Sequence, residues 1–277
     1  MTSHDQAFFA VDGDELVPRP LVRGPWGSTI SGTYVGGLLG RAVERFGGDA
    51  DLQPARLTVD LLRPVALADP VRVDSAVERE GKRIRLVDAT MRQNGTVVAR
   101  ASALFLRRGA QPPDRAWTMP IEMPPPPSQP ADVSGDLTME LWTYSANGDM
   151  AAPSNDLSQW RHGGQKYAWV RDVKPLVDGE SVSPFVRAAM AGDVTSSLTH
   201  SSAGGLNYIN ADYTLTLSRL PDGDLIGLAG LTHYSHAGVA TGTATLFDHL
   251  GPIGSGIATG LVNPGFRPPR SAGAATG

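Results

Sequence analysis

Asp193 is the residue whose type and surroundings most clearly predict chemistry in this sequence. It lies in a mostly apolar segment that begins at Ser183-Pro184 and continues to about Leu198. Ser183 can cap a helix and Pro184 suits its first position, so this segment is predicted to be helical. A carboxylate in such a helix is costly to bury without partners. We interpret Asp193 as a candidate general base between a helix and a sheet. The alternative is a carboxylate that faces solvent or makes a local hydrogen bond.

Other reactive groups form weaker patterns. The chain has no cysteine, which excludes disulfides, thiolate nucleophiles and cysteine–zinc sites. No Gly-x-Ser-x-Gly sequence occurs, so a nucleophilic serine of that type is not expected. His233 and His236 have no third ligand that the sequence identifies, and we interpret them as surface histidines. The sequence therefore predicts no metal site and no cofactor.

Composition limits the class of protein. The 277 residues are 41% hydrophobic and carry a net charge of −4, which predicts a packed core in one large or two small domains. No basic excess exists, which argues against a nucleic-acid partner. The N-terminus does not resemble a signal peptide, and no apolar run is long enough to span a membrane. We expect a cytoplasmic protein without a membrane partner.

The first half of the chain predicts one helix followed by four strands. Residues 28–46 have helical spacing of apolar residues, with Ser28 as the expected cap and Gly47-Gly48 as the end. The glycines inside this helix make sense if a sheet approaches it closely. Asn94-Gly95 is a strong hairpin signal. The predicted strands are 55–63, 70–79, 83–92 and 96–107.

The second half repeats this plan after a proline-rich linker. Residues 108–135 contain four consecutive prolines, which favours extended chain over packed structure. The predicted strands of the second half are about 138–146, 165–173, 206–218, 224–234, 237–247 and 252–263. The predicted units are an N-terminal repeat at 1–109, the linker at 110–135, a C-terminal repeat at 136–265 and a flexible tail at 266–277.

The two halves align at a constant offset of 156 positions. This offset relates Arg63 to Arg219 and Gly36 to Gly192, and it preserves the register of the strand after each helix. The pattern predicts an α+β protein in which two tandem copies each contain a long helix wrapped by an antiparallel sheet. The same offset relates Gly37 to Asp193, so the carboxylate belongs to the second copy alone.

The chain resembles the double-hotdog, TesB-like family of type II acyl-CoA thioesterases. The matching segments are residues 26–42, 56–64, 169–177, 183–193 and 209–219. The resemblance implies a double hotdog fold and an acyl-CoA substrate. It also implies a water activated by an Asp on the helix, a Thr on the next strand and a Gln on the last strand. These positions fall on Asp193, on Asn210, and on Ala258 with Thr259 beside it, and the predicted catalytic residues are Asp193, Asn210 and Thr259.

The strand after the second helix presents a difficulty for this site. Asn210 and Asp212 alternate with the apolar residues Ala211 and Tyr213. If the apolar face packs on the helix, Asn210 points away from Asp193 unless the strand bulges near residue 211. Asp212 is then expected to face solvent.

Three functions stay open from the sequence. The first is hydrolysis of acyl-CoA in fatty acid metabolism, with acyl-CoA or CoA as partner. The second is a non-catalytic acyl-thioester binding or scaffolding protein, which Ala258 favours. The third is an enoyl-CoA hydratase-like enzyme with Asp193 and His200 as its acid–base pair, although their spacing differs from that motif. A homo-oligomer is left open.

Overall fold

The computed structural model describes residues 6–47, 51–114, 116–128, 138–144 and 157–266. The first half contains β1 (Phe9–Asp12), β2 (Glu15–Pro18), α1 (Gly32–Glu44), β3 (Leu52–Leu61), β4 (Arg72–Glu80), β5 (Ile84–Gln93) and β6 (Thr96–Arg107). The second half contains β7 (Met139–Thr143), β8 (Tyr167–Asp172), α2 (Pro184–His200), β9 (Ser201–Ser202), β10 (Gly205–Leu206), β11 (Tyr208–Leu217), β12 (Leu225–His236), β13 (Val239–Asp248) and β14 (Gly251–Val262). Three parts of the chain for which predictions were made lie outside the described residues: Gly48, residues 129–137 of the linker region, and the tail from 267 onward.

Ten strands form one antiparallel sheet in the order β4-β5-β6-β3-β11-β14-β13-β12-β8-β7. The two helices contact each other, α1 packs on the strands of the first half, and α2 packs on those of the second. This arrangement confirms the predicted α+β class, with each helix wrapped by antiparallel strands. Within the described part of the chain, neither helix is long and apolar enough to cross a membrane.

A pseudo-twofold axis passes through the middle of the sheet, where β3 pairs with β11. Thr58 lies opposite Thr214, and their Oγ1 atoms are 3.0 Å apart. These two residues are separated by the same 156 positions that align the two halves. A residue that pairs with its own equivalent must lie on the axis that relates the two copies. The pairing therefore supports the repeat independently of the sequence pattern, while the predicted domain boundaries stay a prediction.

Helix α1 is shorter than predicted. It begins at Gly32 after Ser31, so the prediction that Ser28 caps it was wrong. Residues 28–30 are extended instead, because Thr29 pairs with Ala66 and the Ile30 N–H donates to the Val65 carbonyl. The side chain of Ser31 makes no capping hydrogen bond. The N–H groups at the start of α1 must therefore find acceptors elsewhere.

Helix α2 begins as predicted. Its N-cap is Ser183, whose Oγ accepts a hydrogen bond from the Val186 N–H at 3.1 Å, and Pro184 occupies the first position. The hairpin at Asn94-Gly95 is also confirmed, since both residues have positive φ, as the turn requires. The strands β1 and β2 were not predicted from the sequence.

Tyr213 explains two of the helical glycines. Its ring is fully buried, and its hydroxyl donates to the Ala189 carbonyl at 2.7 Å. A Cβ atom on Gly36 would lie 1.9 Å from this hydroxyl, and one on Gly192 would lie 2.9 Å from the ring. The equivalent glycines thus allow both helices to approach one strand residue, which agrees with the close approach predicted from the sequence.

Part of the linker is packed, contrary to the expectation of extended, unpacked chain. Ile121 and Met123 pack against a cluster that includes Trp142 and Trp169. The Trp169 Nε1–H donates to the Pro124 carbonyl at 2.9 Å. The linker covers these large rings, which would otherwise be exposed on the sheet.

Candidate functional site

The Asp193 carboxylate faces the N-terminus of α1. Its Oδ2 accepts a hydrogen bond from the Thr33 Oγ1–H at 3.0 Å, and the Thr33 backbone N–H also donates to the carboxylate. The pseudo-twofold axis brings the middle of one helix to the start of the other. Asp193 therefore provides the acceptor that the side chain of Ser31 does not.

A β-bulge at Ala211 brings Asn210 to the same carboxylate. Asn210 pairs with Gly260 on β14, but Asp212 pairs with Thr259, so Ala211 has no partner in this register. The extra residue turns the Asn210 side chain to the helix side of the sheet. Its Nδ2 donates to Asp193 Oδ1 at 2.9 Å. The bulge that the predicted pairing required is confirmed.

Gly32 gives the carboxylate room to approach α1. A Cβ atom at this position would lie 2.5 Å from Asp193 Oδ1, which is too close for any real side chain. Neither Gly32 nor Thr33 was predicted from the sequence to belong to the site. The alignment of the two copies showed that the acid belongs to the second copy. It did not show that the hydrogen-bond partners of the acid belong to the first copy.

A cavity of about 550 Å³, here called the acid cavity, opens beside Asp193. Both halves of the chain contribute to its wall. Its apolar lining includes Ile30, Val35, Leu61, Val65, Leu141, Trp160, Val194 and Ile209. Among the described residues that line it, Asp193 and Arg63 carry the charged side chains. The volume lies within the range of small-molecule sites.

Burial raises the pKa of Asp193, while the hydrogen bonds from Asn210 and Thr33 act in the opposite direction. The loss of hydration outweighs these donors because it disfavours the charged form of the carboxylate. A carboxylate whose pKa is moved toward neutral is better suited to accept a proton in that pH range. The arrangement can therefore activate a water molecule at the cavity wall.

Thr259 and Ala258 are not brought to this carboxylate. The N–H and Oγ1–H of Thr259 donate to Asp212 Oδ1 at 2.8 and 2.7 Å. Ala258 is fully buried and lies opposite Tyr213 in the sheet. Neither residue lines the acid cavity. Thr259 was predicted to be catalytic because it is adjacent to Ala258 in the sequence, but strand alternation turns it toward the face that carries Asp212.

His200 has a different partner from the one that a hydratase would require. It is the last residue of α2, and its Nδ1 lies 3.1 Å from Nδ1 of His233. Burial lowers the pKa of His200 to about 4, and the neighbouring His233 adds to this effect. His200 does not line the acid cavity, so an Asp193–His200 pair is not formed. His233 is exposed, as expected, although its contact with a buried histidine was not foreseen.

In the described ranges, no three histidine, aspartate or glutamate side chains lie close enough together to hold a metal ion.

Comparisons with known proteins agree with this architecture. Residues 22–106 match the family described as the acyl-CoA thioesterase N-terminal domain. The comparison with curated proteins finds no significant match.

Several solved structures share the fold at low sequence identity. A conserved protein of unknown function with a hot dog fold from Alicyclobacillus acidocaldarius is 17% identical, with a TM-score of 0.66 over 98% of this chain and 100% of that one. The tesB protein of Mycobacterium avium subsp. paratuberculosis is 18% identical, with a TM-score of 0.60 over 94% and 95%. An acyl-CoA thioesterase II from Mycobacterium marinum is 19% identical, with a TM-score of 0.61 over 88% and 92%.

These likenesses establish the fold, and residues 22–106 are in addition similar to the acyl-CoA thioesterase N-terminal domain. The chain thus has the hotdog fold seen in these structures, and its residues 22–106 match the acyl-CoA thioesterase N-terminal domain, which agrees with the resemblance predicted from the sequence.

Proposed function

We propose that this protein hydrolyses acyl-CoA to a free acid and CoA, with Asp193 as the general base. The observation that carries the proposal is a carboxylate in an apolar cavity whose two oxygens are held by Asn210 and Thr33. The family match of residues 22–106 supports thioesterase chemistry in general. The roles assigned to individual residues belong to this proposal.

In the proposed reaction, Asp193 removes a proton from a water molecule while the water oxygen attacks the thioester carbonyl carbon. The resulting oxyanion is stabilised by the positive end of α1, beside which the carboxylate lies. The carbon–sulfur bond then breaks, and the departing thiolate takes the proton from Asp193. One water and one thioester thus give one acid and one thiol.

Asn210 and Thr33 are assigned positioning roles in this reaction. The Asn210 Nδ2 donates to Asp193, which leaves its amide oxygen able to accept a hydrogen bond from the attacking water. The Thr33 hydroxyl fixes the second carboxylate oxygen. With both oxygens held, the carboxylate keeps the orientation that proton transfer requires.

The apolar wall of the acid cavity is assigned to the acyl group. Burying hydrocarbon there is favourable by about 25 cal/mol for each square ångström removed from water. The more exposed residues at its rim, such as Leu62 and Pro64, would face the CoA part of the substrate.

The decisive experiment compares hydrolysis of a panel of acyl-CoAs by the wild type and by Asp193→Asn. We expect a rate loss of about 10²- to 10⁴-fold, because the amide cannot accept the proton. Asp212→Asn is the matched control, since this acid binds Thr259 away from the cavity. Equal rates in wild type and Asp193→Asn would end the proposal.

A second function is favoured by one specific observation. Asp193 accepts the backbone N–H of Thr33 and so acts as a cap for α1, which gives it a structural role without catalysis. A non-catalytic acyl-thioester binding protein would use the same cavity. It would show a thermal shift with acyl-CoA, because ligands of the native state raise the melting temperature, but no hydrolysis.

The proposal includes a cytoplasmic setting, where acyl-CoA is available, and a part in fatty acid metabolism. Assembly into a homo-oligomer, and the division into repeats at 1–109 and 136–265 joined by the linker 110–135, belong to the same proposal. Size-exclusion chromatography with light scattering tests the assembly.

A further inference from the structure

Arg63 and Arg219 are equivalent under the 156-position offset but have different partners. The Arg219 guanidinium forms a two-pronged ion pair with Asp248, in which Nη2 donates to Oδ1 at 2.6 Å. It also donates to the Gly251 carbonyl at 3.3 Å. The Asp248 side chain is fully buried, so Arg219 holds the end of its repeat together.

Arg63 lacks this acidic partner because the position equivalent to Asp248 is occupied by Arg92. Among the residues that the structure describes, the Arg63 side chain donates one hydrogen bond, to the Val97 carbonyl at 3.0 Å. A guanidinium has five N–H donors, so most remain available. The same structural position thus carries an ion-paired arginine in one repeat and, in the other, an arginine without a carboxylate partner among the described residues.

The arginine without a carboxylate partner lies at the acid cavity. Arg63 is exposed, lines the cavity, and is flanked by the exposed residues Leu62 and Pro64. Its charge is opposite to that of Asp193 in the same cavity. A guanidinium with free donors at the rim of a cavity is suited to phosphate or carboxylate, whose oxygens match its geometry.

We propose that Arg63 is a binding residue for an anionic group of the thioester ligand, an inference that rests on the proposed function. The anion is either a phosphate of CoA or a carboxylate carried by the acyl group. The inner wall of the cavity is apolar and contains Asp193, which would repel a carboxylate. The phosphates of the CoA part, which stay outside the acyl cavity, are therefore the favoured source.

The first experiment measures the affinity for CoA alone by calorimetry in the wild type, Arg63→Met and Arg63→Lys. We expect CoA to bind about fivefold more weakly to Arg63→Met, with partial recovery in Arg63→Lys, as for an exposed charge-assisted contact. Added salt should reduce the difference, because screening weakens exposed charge pairs. Arg92→Met is the matched control, since Arg92 is exposed nearby but does not line the cavity.

The second experiment separates the two sources of the anion by Michaelis constants. If Arg63 binds CoA phosphate, Arg63→Met raises KM for acyl-CoA but not for the matching acyl-pantetheine, which has no phosphate. If it binds an acyl carboxylate, KM rises for dicarboxylic acyl groups on both carriers. Melting temperatures of the variants control for folding.

Equal CoA affinity and equal KM values in wild type and Arg63→Met would overturn the inference, as would a wild type that does not bind CoA. Failure of the proposed function has a different signature. In that case Asp193→Asn would hydrolyse at the wild-type rate, or neither would hydrolyse, while Arg63→Met still weakened CoA binding.

Discussion

Two cavities related by the pseudo-twofold axis differ in what their walls can do. The acid cavity lies where α2 meets the start of α1. A second cavity of about 310 Å³, here called the sister cavity, lies where α1 meets the start of α2. Its wall includes Val182 and Val186, which are equivalent to Trp26 and Ile30 of the acid cavity. Each repeat of the fold thus has a cavity next to the start of its helix.

The sister cavity has neither an acid nor space at the equivalent of Asp193. A Cβ atom on Gly37 would lie 2.8 Å from Met190 Cγ and 3.2 Å from Leu176 Cδ2, so these side chains occupy the place of a carboxylate. An ion pair between Arg41 and Glu180 lies at its wall. The comparison teaches that a duplicated fold provides a cavity between helix ends, but that individual side chains decide whether it can support a reaction.

The largest expected effect comes from the substitution Gly32→Ala, which gives α1 the residue type that α2 has at the equivalent position, Ala188. In Gly32→Ala, the new methyl group would displace the Asp193 carboxylate, whose Oδ1 lies 2.5 Å from the Cβ position. We expect acyl-CoA hydrolysis to fall about 100-fold, as misplacement of a reacting group by an ångström can cost.

Gly37→Ala is the matched control in the same helix, because its methyl group points at the flexible Met190 side chain and not at Asp193. It should keep the wild-type rate. A wild-type rate in Gly32→Ala would show that the position of the carboxylate does not govern catalysis.

The second effect concerns two equivalent residues at the helix ends, His200 of α2 and Glu44 of α1. Burial lowers the pKa of His200 from 6.5 to about 4, so its contribution to stability is complete above pH 6.5 and is lost as the pH falls toward 4. At pH 5 this loss amounts to about 2 kcal/mol. His200→Gln should flatten the acid side of the unfolding free energy measured with urea, whereas His236→Gln, at an exposed histidine, should not.

Glu44 should behave in the opposite sense. Burial raises its pKa above 4.5, and the bond donated by the Ser183 hydroxyl only partly offsets this. Its contribution to stability is therefore present below pH 4.5 and is lost as the pH rises through the folded-state pKa. Relative to wild type, Glu44→Gln should gain unfolding free energy as the pH rises. The same pH slope in both variants would contradict this comparison.

A smaller effect is expected at Thr33, which corresponds to Ala189 in α2. Thr33→Val removes the hydroxyl that donates to Asp193 Oδ2 but retains the shape of the side chain. The loss of a donor should raise the pKa of Asp193 further, shift the acidic limb of the pH–rate profile upward, and lower the rate about tenfold at a pH below that limb. Thr33→Ser should restore the profile, and an unshifted profile in Thr33→Val would leave Thr33 with a packing role.

The smallest effect is expected in the sister cavity. Glu180→Gln weakens the ion pair with Arg41, but the Glu180 side chain is 42% exposed, so its net contribution is small. We expect the unfolding free energy to fall by about 0.5 kcal/mol and the hydrolysis rate to stay unchanged. A large loss of rate would show that the two cavities are coupled.

Much of the architecture was accessible from sequence because periodicity, turns and caps are local. Ser183-Pro184 marked the start of α2, and Asn94-Gly95 marked a hairpin. The offset between the two halves predicted two tandem copies of one fold. The start of α1 was missed, because Ser28 and its neighbours pair with residues near Ala66, a contact distant in sequence.

The candidate site was only half accessible for the same reason. Asp193 was identified as an unusual carboxylate in an apolar helix, and Asn210 could reach it only if a bulge was present. Thr33 and Gly32 belong to the other repeat, and Thr259 lies on the face of its strand that carries Asp212, because one-residue differences in register reverse the face of a strand.

The sequence by itself determined the repeat, the two helices with the long strands that follow each of them, and the single acid at position 193. Only the tertiary structure decided which groups surround that acid, which arginine has no carboxylate partner among the described residues, and which cavity has room for a carboxylate. The physical reason is that local patterns select elements through backbone preferences. The partners of a buried charge, in contrast, are set by contacts across the pseudo-twofold axis, where residues 160 positions apart, Thr33 and Asp193, come within hydrogen-bonding distance.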